Sequence, residues 1–244
     1  MAPGDATAVG STVPAVRPPA QARERILETA YELFSRRGIR AVGVDEVIAR
    51  SRVAKATLYR NFPSKDTLVL AFLERREERW TRGYVEAGAR RLGADPEERL
   101  LAVFDVFDEW FRRPDFDACT FINVLLEMGW EHPLGKASIV HLENIRAIVR
   151  SLAEEAGLRD TENFARSWHI LMKGAIISAA EGDTEAARRA QDMARTLIER
   201  HRPAAGDGVP AAGDDVPAAC DDDPAACEDD GTAHPGAGPP PPAR

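Results

Sequence analysis

Cysteine is scarce. Cys119, Cys220 and Cys227 are the only three in 244 residues, and no two stand as C-x-x-C. That is too few for a disulfide framework and the wrong spacing for a thiolate metal site. The five histidines also lack metal-ligand spacing, so neither a metal nor a cofactor is expected. No apolar run reaches the roughly 18 residues that suggest a membrane span. The first twenty residues lack the charged start and apolar stretch of a secretory signal. No membrane contact and a cytoplasmic location are the resulting expectations. An acid–base pair, a nucleophile–base spacing and a phosphate loop are also missing, which argues against a helical enzyme. Period-two alternation is nowhere long enough to argue a strand.

Positive charge is in deficit as well. Lys and Arg number 32 against 40 Asp and Glu, a net charge of −8. Taken whole, that disfavours nucleic acid as a partner. The distribution reverses the reading. The segment 203–244 alone carries a net −8, while 22–67 carries a net +4. A basic segment on a balanced body is the electrostatic footprint of a DNA-binding module.

What is present is helical periodicity. Residues 1–20 are rich in Ala, Gly, Pro and Val without a period and read as a disordered arm. From Gln21, the residues Ile26, Leu27, Ala30, Leu33 and Phe34 form one apolar stripe. Arg36, Arg37 and Gly38 then end that helix. Helical patterning continues to Arg202, punctuated by Pro63, Pro96, Pro114, Pro133 and a turn at Gly157. A long segment from Thr67 to Arg91 is followed by helices expected near 96–112, 117–128, 136–156, 161–181 and 184–201. Residues 203–244 are an acidic repeat with prolines at 203, 210, 217 and 224. Proline at every seventh position forbids a coiled coil, so this tail reads as disordered.

The informative stretch is Gly38 to Lys65. Val44, Val47 and Ile48 make a short apolar face, with Asp45 and Glu46 in the first turn and Gly43 before it. A tight turn at Ser51-Arg52 leads to a second helix over about 55–62. Leu58 and Phe62 point inward there, and Lys55, Thr57, Tyr59, Arg60 and Asn61 outward. Two short helices joined by a tight turn, the second lined with basic and hydrogen-bonding groups, form a helix-turn-helix. Lys and Arg neutralise phosphates. Hydroxyls on Thr and Tyr donate to phosphate oxygens, and Lys, Arg and Asn can bond base edges. Ala54 and Ala56 are small enough to permit close approach to a duplex.

At these residues the chain resembles the TetR family of bacterial transcriptional regulators. Gly38, Val44, Val53, Thr57, Leu58, Tyr59, Phe62, Ser64 and Lys65 match its pattern, and the resemblance runs from Ala20 to Trp80. It departs at Gly43 and Ala54, where hydroxyl caps are common. It departs at Ser51-Arg52, where the family places Ala-Gly, and at Asn61, where His is common. Glycine in that turn supplies a positive φ, so Arg52 is expected to be strained. The resemblance implies DNA contact by Val44, Ala54, Lys55, Ala56, Thr57, Tyr59, Arg60, Asn61 and Lys65, with Tyr59 on a phosphate.

The reading for the whole chain is all-α. It comprises a DNA-binding domain at 21–80 and a helical regulatory and dimerisation domain at 81–202, between the arm and the tail. Phe104, Phe107, Trp110 and Phe111 share a broad face of one helix, and Phe121, Leu125 and Met128 a face of the next. The family implies a ligand pocket among such helices. These seven residues and Trp168 are its candidate lining, for a small lipophilic effector, more sharply a cationic one with Glu127 as its ionic partner. The helix with Phe164, Trp168 and Met172 on one side carries Ile170, Gly174, Ile177 and Ser178 on another, so both sides must be buried. In the family such helices pair across a two-fold axis, which implies a homodimer through about 161–201. The expected function is a repressor released from a palindromic operator in double-stranded DNA by the effector. The alternatives are an activator or ligand-independent regulator on the same scaffold, and a helical protein-interaction module.

Overall fold

The computed structural model describes residues 19–203; the expectations for the segments outside that range, the arm and the acidic tail, lie outside the described residues. Every element among the described residues is helical. Helix α1 spans Pro19–Arg37, α2 Val44–Ser51, α3 Lys55–Asn61 and α4 Lys65–Arg76. The chain then continues without a break through a π-helical stretch, Glu77–Glu86, into α5 at Ala87–Leu92. Helices α6 (Pro96–Phe111), α7 (Thr120–Met128), α8 (Pro133–Glu155), α9 (Thr161–Ala180) and α10 (Ala186–His201) complete it.

The apolar stripe of α1 does what its spacing predicts. Ile26, Leu27, Ala30, Leu33 and Phe34 are all buried, against α2, α3 and α4. The helix ends with Gly38 at φ +79, whose N–H donates to the Phe34 carbonyl. Helix α4 starts on a reciprocal cap. The Ser64 hydroxyl accepts from the Thr67 N–H, and the Thr67 hydroxyl accepts from the Ser64 N–H. Asp95 caps α6 and Pro96 fills its first position. His132 caps α8 and Pro133 opens it, so this helix begins three residues before the expected 136. Conversely, α7 begins at Thr120 rather than 117, because Ala118 takes φ +58 and breaks the helix there.

The second half is a bundle. Helix α10 packs on α9 and α6, α9 on α8, α8 on α7, and α5 on α6. The continuous rod 65–92 passes from the helix-turn-helix into this bundle, with α4 lying on α1 at one side and on α7 and α8 at another. Two bidentate or near-bidentate pairs tie it to α1: Arg75 to Glu24 at 2.6 and 2.9 Å, and Arg79 to Glu28 at 2.8 Å. Glu77, at the start of the π-helical stretch, is buried and accepts from the Asn144 amide at 2.9 Å and pairs with His141, both on α8.

Arg52 ends α2 in the left-handed region, at φ 53 and ψ 48. A side chain there crowds the following carbonyl and costs roughly 1–2 kcal/mol. Glycine escapes that crowding but gains freedom in the unfolded chain, which offsets part of the benefit. Arg52→Gly is therefore expected to stabilise the protein by about 1 kcal/mol. Urea denaturation checks this: the midpoint should rise without a change in slope, and an unchanged midpoint would mean the turn holds no strain.

Candidate nucleic-acid interface

Three elements build the site: α2, the turn 52–54, and α3 running into the start of α4. Asp45 and Glu46 sit in the first turn of α2 and favour its dipole, in place of a side-chain cap at Gly43. Val47 is buried and Ile48 packs against the core, which anchors α2 under α3. Leu58 is fully buried and Phe62 nearly so. Arg23 of α1 lies over the Phe62 ring, 5.1 Å from its centroid. That inward edge fixes the roll of α3, and the remaining positions face out.

Ala54, Lys55, Ala56 and Arg60 are exposed, and Tyr59 is 41% exposed despite its size. Lys55 is held only by a loose pair with Asp45 at 3.7 Å, both side chains well solvated. Arg60 makes no ion pair among the described residues. Lys65 is half-buried, the first residue of α4 beyond the Ser64 cap. Thr57 is half-buried. Asn61 is turned back on its own helix, its amide donating to the Thr57 carbonyl at 2.8 Å. Val44 is half-buried and packs against the core. Two exposed cations in the neighbouring loops, Arg40 and Arg52, were not among the sequence candidates. Their signal was present: each is an arginine in a loop that flanks the short helices.

The helix-turn-helix is joined to the bundle by a carboxylate. Glu127 of α7 accepts from the backbone N–H of Ile39 at 2.9 Å and of Arg40 at 2.5 Å. This corrects the expectation that Glu127 is a free ionic partner for an effector. Beside it, buried Arg76 donates to the Tyr31 hydroxyl at 3.1 Å and to Asp117 at 3.4 Å.

A solved TetR-family transcriptional regulator from Streptomyces coelicolor superposes with a TM-score of 0.67. It is 30% identical in sequence, and the match covers 75% of this chain and 97% of that one. The chain belongs to the TetR family. The model of bacterial regulatory proteins of the tetR family matches residues 26–72, from α1 through most of α4. Among curated relatives, the transcriptional activator FasR of Mycolicibacterium smegmatis is 38% identical over 85 residues. That is 35% of this chain and 38% of FasR. The transcriptional repressor KstR of Rhodococcus jostii is 39% identical over 81 residues, 33% of this chain and 36% of KstR. The matched stretch thus spans under two-fifths of either curated relative.

In this TetR-family chain the candidate effector residues are mostly packed against one another. Phe104, Phe107, Trp110, Phe121 and Trp168 are buried. Phe104 meets Trp168 at 5.3 Å between ring centroids, and Trp110 meets Trp80 at 4.8 Å. Phe111, Leu125 and Met128 are half-buried against the same core. The cavities beside this core hold only about 20 and 10 Å³. An effector among these rings would have to part them. Larger clefts of about 620 and 340 Å³ open instead between α1 and the loop joining α6 to α7. Trp110 lines the second; the other seven candidates line neither. No helix among the described residues is long and apolar enough to cross a membrane.

The core also holds a titratable group. His169 of α9 is 3% exposed and its Nδ1 has no partner among the described residues. Burial first, then the nearby Lys173 and Arg146, push its pKa down to about 3. The folded protein therefore keeps this imidazole neutral, while the unfolded chain protonates it below about pH 6.5. Its contribution to stability is complete above that pH and is lost as pH falls towards 3. Stability measured by urea at successive pH values should fall less steeply below pH 6.5 in His169→Gln than in the parent. Parallel curves would show that this group does not set the acid limit.

Proposed function

We propose that this chain is a dimeric regulator that binds a palindromic site in double-stranded DNA and is released from it by a small molecule. One observation carries the reading. Helix α3 buries Leu58 and Phe62 and leaves Lys55, Tyr59 and Arg60 outward, with Lys65 opening the next helix. Cations on a rigid, well-anchored helix suit phosphate neutralisation and base contact in a major groove. In this reading Tyr59 and Lys65 hold phosphates. Lys55, Arg60 and Asn61 read bases, Asn61 after giving up its bond to the Thr57 carbonyl. Ala54, Ala56, Thr57 and Val44 shape the approach.

The dimer reading is supported by the outer side of the last two helices. Ile170 is 69% exposed, Met193 58% and Ile177 44%. A Cβ built on Gly174 would meet no atom within 4 Å, so this stretch of α9 has room for a close neighbour. Exposed apolar groups on adjacent helices mark an association surface. Two-fold pairing there sets two copies of α3 about one DNA turn, roughly 34–36 Å, apart or further. FasR is named an activator and KstR a repressor; for this chain we place repression first and activation second. A reporter gene with and without the protein separates the two.

Two measurements test this. Lys65→Ala with Tyr59→Phe should weaken binding to specific and random DNA alike. It should also make the salt dependence shallower, by about one unit of logarithmic slope per phosphate left unneutralised. Unchanged affinity in the double variant would remove the phosphate assignment. Ile170→Glu with Ile177→Glu should convert a dimer to a monomer in sedimentation and lower operator affinity by on the order of a hundredfold or more, since one protomer grips only one half-site. A variant that stays dimeric would place the interface elsewhere.

A further inference from the structure

We propose that the two clefts between α1 and the α6–α7 loop form one binding site for a small monocarboxylate with an aromatic or apolar body, its head group held by Arg36. This rests on the reading of the chain as a regulator with a small-molecule effector, and it moves the ligand from the aromatic core to the junction with the helix-turn-helix.

The clefts adjoin, because Ser35, Arg36, Asp115 and Asp117 line both. The larger, at about 620 Å³, falls in the range of small-molecule sites. Its apolar wall is Phe34, Pro114, Phe116 and Val124, and the second cleft adds Tyr84 and Trp110.

The head group follows from which polar atoms are already engaged. Asp115 is held by Arg113 at 2.7 and 2.8 Å, and Asp117 by Arg76. Glu28 is taken by Arg75 and Arg79, Glu32 by Arg50, and Glu127 by two backbone N–H groups. Every carboxylate of the two walls thus has a partner, and so do Arg76, Arg79 and Arg113. Arg36 is the one charged group there with neither a hydrogen bond nor an ion pair within 4 Å among the described residues. Its field still reaches Asp115, whose carboxyl is held low mainly by Arg113 and to a lesser degree by Arg36.

Two uncharged groups are also unspent. The Ser35 hydroxyl, on a residue of the shared wall, and the Trp80 indole nitrogen, on a residue 8% exposed that lines the second cleft and both small core cavities, are buried without a partner. Arg and Trp side chains can only donate, and Ser can donate. A ligand that satisfies the Arg36 guanidinium must accept, and a carboxylate is acceptor-only. One free guanidinium among five carboxylates suits a single negative charge better than two. A cation would find no unpaired acid.

The place gives such a ligand leverage. Arg36 lies in the last turn of α1, two residues before Gly38 and three before the loop that Glu127 holds. A molecule seated there touches α1 on one side and residues 114–117 on the other, so it binds differently when the two move apart.

Calorimetry on the full chain with 2-naphthoate, indole-3-acetate and decanoate, each against its primary amide, tests this. At least one acid should bind in the micromolar range and its amide at least tenfold more weakly. Arg36→Gln should reduce acid binding to the level of the amide, with the melting temperature unchanged. The proposal is overturned if none of the acids binds more tightly than millimolar. It is equally overturned if acid and amide bind alike, or if Arg36→Gln leaves acid affinity intact. DNA affinity is measured separately. Acid binding that spares it supports the site and counts only against the effector reading.

Discussion

The fold turns on one carboxylate that holds backbone rather than a side chain. Glu127 receives the N–H groups of Ile39 and Arg40, the first two residues after the glycine that ends α1. Those amides lie beyond the end of α1, where the chain offers them no helical carbonyl, so a charged acceptor both satisfies them and fixes the chain's exit. The approach is close. A Cβ on Gly38 would come within 3.1 Å of the Glu127 carboxylate, at a φ of +79 that suits glycine. Everything downstream, α2 and then α3, inherits its orientation from this exit.

The second tie is a rod. Residues 65–92 run from the helix-turn-helix into the bundle as one uninterrupted helical path, with a π-helical middle. Its α1-facing side carries Arg75 and Arg79 against Glu24 and Glu28. Such partly exposed pairs contribute little to stability, about 0–1 kcal/mol each. Their role is to fix register along α1. The other side carries Glu77, buried against His141 and Asn144 of α8. A buried carboxylate left without partners costs far more than an exposed pair gains, so this link is the stiffer of the two. The rod's ion pairs to α1 are thus weaker than its buried polar link to α8, and its hold on the helix-turn-helix comes from Phe72, buried against Tyr31 and Phe34.

What could be read from the sequence divides along the same line. The helix-turn-helix is local. Leu58 and Phe62 are four apart, so their burial follows from helix geometry, and a cluster of matched residues marks the surface opposite. The left-handed Arg52 was also legible, as a side chain where the pattern calls for glycine. The Glu127 link was not, because it joins residues 87 and 88 apart and an acid in an apolar stretch reads as an ionic partner for a ligand rather than as an acceptor for distant backbone. Periodicity says which residues share a face and not what covers that face. Ile170 and Ile177 share α9 with buried Phe164, Trp168 and Met172 yet are exposed among the described residues. The same limit applies to the rings from Phe104 to Trp168. Their spacing fits a pocket lining and a filled core equally well, since both want large apolar side chains on one face.

Magnitudes then decide how much a ligand at the junction has to do. Hydrogen bonds to a charged group contribute about 1.5–3 kcal/mol each. Coupling between two sites on one protein is typically about 1–3 kcal/mol. The two bonds that Glu127 makes are therefore of the right size to be the element that is biased. No large rearrangement of the packed core is needed, and the core is poorly suited to one. Its rings meet at 4.8–5.3 Å in several places, and its cavities hold little more than a water molecule. Close-packed interiors transmit displacement rather than absorb it. A wedge between α1 and residues 114–117 works against the two Glu127 bonds and the Arg76–Asp117 pair, all of which lie on its walls. The same handful of polar bonds that seats the helix-turn-helix on the bundle is what a molecule in that cleft has to strengthen or break.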